Sequence, residues 1–89
     1  MPPNPSRKSA EILGLQALGW LAGVPGALER LLGASGMDAA GLKSAAGEPH
    51  VLGAVLEFLL ANEDLLLDFC SHQALKPAQI HAARHVLEA

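Results

Sequence analysis

The sequence contains no tyrosine, and Trp20, Phe58 and Phe69 are its only aromatic residues. Aromatic and β-branched side chains favour strands; both classes are thin here, which argues against a β-rich fold. Cys70 is the single cysteine, so no internal disulfide can form, and this fits a reducing compartment. Lysine and arginine total six against nine acids, giving a net charge of −3 and a pI near 5.7. Nucleic-acid binders draw much of their affinity from cations at phosphates, so this balance argues against nucleic acid as a partner. Long hydrophobic runs are missing too. Arg7 and Lys8 precede an apolar stretch from Ile12 to Val24 that superficially resembles a signal peptide. Gln16 interrupts that stretch, no Ala-x-Ala site follows it, and Pro25 stands where a cleavage motif would want a small residue. It is also shorter than the ~20 residues a spanning helix needs. The expectation is a cytoplasmic protein that makes no use of a membrane.

Leucine and alanine are what the chain has in quantity: 51% of residues are apolar and 17% charged. Both are strong helix formers, so the expected fold class is all-α, a compact bundle of six helices. Eighty-nine residues make one domain. The Pro-rich opening, residues 1–5, reads as a disordered tail, and residues 6–89 as a single all-helical domain.

Local signals place the helices. The first runs from Ser6 to Ala22, ended by Gly23 and Pro25, and the second from Gly26 to Leu32, stopped by GASG. Asp38 is a good N-cap for a third helix ending near Gly47. Pro49 suits the first position of a fourth that reaches Ala61. In LEFLLANEDLLLDF, Asn62 is expected to cap the fifth helix, with Glu63 and Asp64 complementing its dipole. Pro77 opens the sixth. A shift of 38 residues lays Trp20 on Phe58, Leu28 on Leu66, Leu31 on Phe69, Leu42 on Ile80 and Ala45 on Ala83. Such a period suggests two similar three-helix units, residues 13–46 and 51–84. The fourth helix is apolar nearly all round and so belongs in the centre. Gly14 and Gly19 of the first helix, with Gly53 and Ala54 of the fourth, predict that these two helices pack closely, with two helical hairpins outside them.

The stretches ALGWLAGVPGALERLLGASGMDAAGLKSAA, VLGAVLEFLLANEDLLLDFC and KPAQIHAARHVL together resemble domain-of-unknown-function family 3572, small and mostly alphaproteobacterial proteins. FLLANEDLLLDF and the GMDAAGL turn are the most specific pieces. Ala39 stands where that family usually has proline, and the His and Cys cluster near the C-terminus is a further departure. The resemblance implies a helical fold and a bacterial cytoplasm, and carries no reaction, cofactor or functional residue with it.

Cys70, His72, His81 and His85 are the best-placed candidates for a metal. His81 and His85 stand one helical turn apart, as paired zinc ligands often do, and a hairpin of the last two helices would bring Cys70 or His72 near. The spacings match no recognised ligand pattern, and Cys70 sits at a position the repeat marks as core, so no metal is expected. No phosphate loop is present, since Gly33-x-x-Gly36 lacks the following Lys-Ser or Lys-Thr. Glu57, the one acid of the fourth helix, is the only candidate base; more simply, it points outward. The leading expectation is a non-enzymatic, cofactor-free protein–protein interaction or regulatory adaptor. Its partner, an unknown protein, would dock on Leu15, Leu18 and Trp20 of the first helix and on His81, Arg84 and His85 of the sixth. Spare apolar surface allows a homodimer. The alternative is a DNA-binding regulator with a helix-turn-helix-like C-terminal unit, reading bases with Gln79 and Arg84.

Overall fold

The computed structural model describes residues 5–88; residues 1–4 of the expected tail, and Ala89, lie outside them. The described residues form α1 (Arg7–Ala22), α2 (Ala27–Ser35), α3 (Ala39–Ala45), α4 (Pro49–Ala61), α5 (Glu63–Gln73) and α6 (Pro77–Glu88), with no strand among them. The protein is all-α. Each start has a local cause. The Ser6 hydroxyl accepts the Ser9 N–H at 3.1 Å, and the Asp38 carboxylate accepts the Gly41 N–H at 2.6 Å. Each satisfies an amide that has no partner inside its own helix. Pro49 and Pro77 open α4 and α6, where a missing N–H costs nothing.

The ends are as local, with two corrections. α2 continues to Ser35, past the expected end at Leu32. A glycine inside a helix costs only about 1 kcal/mol, so Gly33 does not break it; the stop waits for Gly36, which turns left-handed at φ 75°. α3 ends at Ala45 instead of Gly47. α5 ends on Ala74, a non-glycine residue at φ 56°, after which the Leu75 N–H donates back to the Cys70 carbonyl at 2.8 Å. This is a Schellman closure made without glycine.

Three helices form the centre. α1 packs on α4 as the glycines predict: a Cβ on Gly14 would stand 2.8 Å from Leu52 Cβ, so only glycine admits that approach. The expected pair of outer hairpins is not found. α6 leaves α5 and lies along both α4 and α1, burying Ile80, Ala83 and Leu87. Leu87 reaches the α4 backbone at Gly53, where a Cβ would stand 3.6 Å away. That is ordinary van der Waals contact, so Gly14 is the glycine that the packing of the centre requires. α2, α3 and α5 surround this trio, and α3 contributes only Leu42 to the buried set. Leu21, Leu52, Leu56, Leu59, Phe69 and Ile80 are the large, fully buried side chains of one continuous core. Among the described residues, no polar or charged one is buried.

Candidate functional site

α4 is not apolar all round once it is folded. Val51, Leu52, Val55, Leu56, Phe58 and Leu59 are buried, but His50, Ala54, Glu57 and Ala61 fall in one row along the remaining face. That row is one wall of an open groove of about 660 Å³. Leu31, Ala34 and Ser35 of α2, Met37 of the turn and Ala45 of α3 form the opposite wall. Val51 and Phe58 lie at its base. The lining is mostly apolar, with Glu57 its single carboxylate and His50 two turns before it on the same helix face. This groove exists because α3 packs loosely on α4: a helix of seven residues with one buried side chain cannot close over it.

Arg30 binds Asn62, which lines the groove. Its Nη2 donates to Asn62 Oδ1 at 2.6 Å, and its Nη1 donates to Asp64 Oδ2 at 3.2 Å, tying α2 to the corner between α4 and α5. The Arg30 hydrogen bond, assisted by its charge and by backbone N–H groups, holds the Asp64 carboxyl below its ordinary range. The corner thus works differently from the sequence expectation. Asn62 makes no side-chain cap to α5, because both ends of its amide are taken. Its Nδ2 donates to the Phe58 carbonyl at 2.8 Å, closing the end of α4, while Oδ1 faces Arg30. Glu63 and Asp64 do occupy the first turn of α5. Sequence reasoning missed Arg30 altogether; its partners are more than thirty residues away, beyond any helical spacing.

The residues singled out from sequence are scattered. Cys70 is buried, and burial pushes its thiol up from the ordinary value. His72, His81 and His85 are exposed. Among the described residues, no three His, Cys, Asp or Glu side chains are grouped as a metal would need, so the Cys70, His72, His81 and His85 set is not brought together. α6 runs to α1 and α4 instead of folding back on α5, which removes the hairpin that would have assembled it. Arg84 donates from Nη1 to Glu88 at 3.0 Å, while its Nε is buried without a hydrogen-bond partner. Of the candidate docking residues on α1, Leu15 is exposed, and Leu18 and Trp20 are half-buried. The Trp20 ring packs on Phe69, centroids 5.4 Å apart and tilted by 57°. That contact makes Trp20 a cover for the core.

The family model described as "Protein of unknown function (DUF3572)" matches residues 7–89. The chain belongs to the DUF3572 family. No curated protein and no solved structure matches this DUF3572 chain. The match spans all six helices and both walls of the groove. Among the described residues, no helix of this DUF3572 protein is long and apolar enough to cross a membrane.

Proposed function

We propose that this DUF3572 protein is a non-enzymatic interaction module of the bacterial cytoplasm, whose groove between α2–α3 and α4 receives an amphipathic helix of a protein partner. One observation carries the reading: a mostly apolar trough of about 660 Å³ holds a single carboxylate, Glu57, on the face of α4. Helix-in-groove recognition uses such a trough for apolar anchors at helical spacing. A lysine or arginine on the incoming helix pairs with Glu57 and sets its register. The row from His50 to Ala61 is about 16 Å long, enough for three turns of a bound helix. The groove supersedes His81, Arg84 and His85 as the docking surface in this proposal, because it offers concave apolar area that α6 lacks.

A second reading, DNA binding through α5 and α6, has one observation in its favour. Ala74 is left-handed between the two helices, Leu75 follows it, and Ile80 is buried five residues on, which is helix-turn-helix rhythm. Gln79, His81 and His85 are exposed on α6. One experiment separates the two. Tagged protein, wild type and Ala54→Arg, is used to capture partners from a lysate of the organism that encodes it, with and without nuclease. The groove reading expects a stoichiometric protein that survives nuclease and is lost with Ala54→Arg, in a variant whose circular dichroism is unchanged. Capture that disappears on nuclease treatment, together with a duplex-DNA gel shift that weakens steeply with salt, would overturn it in favour of DNA.

A further inference from the structure

We propose that two copies of this chain pair through the outer face of α1, antiparallel and related by a two-fold axis. Lys8, Ile12, Leu15, Gly19 and Ala22 follow one another in steps of four, three, four and three residues, and all five are exposed. That alternation is the seam spacing of one helix packed along another. Ile12 and Leu15 are each 46% exposed, and with Leu67 they are the large hydrophobic side chains left in solvent among the described residues.

Gly19 is the unexplained member of the row. A glycine inside a helix costs about 1 kcal/mol against alanine, and nothing lies within 4 Å of where its Cβ would stand. Gly14, on the inner side of the same helix, is accounted for by Leu52; the isolated chain has no comparable use for Gly19. A second α1 supplies one. In an antiparallel pair, a single register sets Leu15 over the partner's Gly19 and Ile12 over the partner's Ala22. The two-fold axis then makes each large-on-small contact twice.

The same register sets Lys8 opposite Gly26, one turn past Ala22, so its long side chain lies near the C-terminal end of the partner's α1. The last turn of that helix, from Gly19 to Ala22, has no basic residue, and its carbonyls bear the negative end of the helix dipole. A parallel pair fails on both counts, facing Gly19 with Gly19 and Lys8 with Lys8. Size and charge therefore select a second copy in one orientation. The contact runs about 21 Å along each helix and belongs to the small interface class, below about 1,200 Å², where weak and transient contacts lie. It shares no element with the groove walls, which come from α2, α3, α4 and the turn before α3. The dimer and the groove reading therefore stand or fall separately.

The test is sedimentation equilibrium of the full chain from about 5 to about 500 μM, a range bracketing the affinity expected of a small interface. Wild type shifts from monomer to dimer across it, and Leu15→Lys stays monomeric. Gly19→Leu also stays monomeric while remaining folded, since the hollow is open in the single chain and leucine favours helix. Mixing Ile12→Cys chains with Ala22→Cys chains under oxidation gives a cross-linked heterodimer, and neither variant cross-links with itself. A wild type that is monomeric throughout overturns the proposal. So does a dimer that Gly19→Leu leaves intact, or self-cross-linking by Ile12→Cys, which would mean a parallel pair.

Discussion

At the scale of single residues, Gly14 and Gly33 look alike in the sequence, both interior to helices, yet their surroundings are opposite. A methyl on Gly14 would collide with Leu52 Cβ, which is fixed to the α4 backbone and cannot rotate away; a methyl on Gly33 meets nothing within 4 Å. Gly14→Ala should destabilise the protein by about 1–3 kcal/mol, the usual cost of overpacking. Gly33→Ala should stabilise it by up to about 1 kcal/mol through helix propensity. Urea denaturation of both variants checks the pair, and equal effects would show that α1 and α4 do not approach as described. Arg30 and Asp64 allow a second test at this scale. The guanidinium lowers the carboxyl's pKa, so the pair's contribution is present above about pH 4, the ordinary aspartate range. It is lost as pH falls through the lowered value. The difference in Tm between wild type and Asp64→Asn should be small, as for any exposed pair, and should shrink towards zero as the pH falls through that lowered value. A difference that does not change with pH would mean the charge contributes nothing.

At the scale of the helix, the ends carry the information. Ser6 and Asp38 act through amides three residues on, and Pro49 and Pro77 by needing no N–H partner at a helix start, so their roles are legible from local sequence. Ala74 is not legible in this way. Nothing marks alanine as a left-handed terminator, and α5 stops there because Leu75 turns back onto Cys70 and the chain must leave towards α4. That conformation costs an L-residue about 1–2 kcal/mol. Ala74→Gly should remove the strain and, after allowing for glycine's greater freedom when unfolded, raise stability by about 0.5–1 kcal/mol. Differential scanning calorimetry reads it as a higher Tm; a lower one would contradict the assigned turn.

At the scale of the whole molecule, the margin is thin. A chain this short buries only about 60% of its unfolded surface, and the centre depends on a few side chains in α1, α4 and α6. Leu56 is fully buried on α4. Leu56→Asp would place a carboxylate where no polar group is available to meet it, a cost of several kcal/mol against a typical stability of about 5–15 kcal/mol. The variant should be largely unfolded by far-ultraviolet circular dichroism at 25 °C. Leu67→Asp, on the half-exposed side of α5, should retain the wild-type spectrum. If both variants fold, the core has been misplaced.

Helix content, all six helix starts to within a residue, the close pairing of α1 with α4 and the buried leucines were all readable in the chain. Each rests on propensity, on caps or on a spacing of three and four residues, which are properties of neighbours in sequence. The groove, the Arg30 bridge and the central place of α6 were not readable. They join residues far apart in the chain, and they depend on which faces remain after the core has taken its share. α4 illustrates the division: its composition predicts burial on every side, but the four helices packed on it, α1, α2, α5 and α6, cover only part of its surface. Packing alone chose the row His50, Ala54, Glu57 and Ala61 to be left open. Physically, local interactions decide where a helix begins and ends, and competition for buried surface decides which side of it faces a partner.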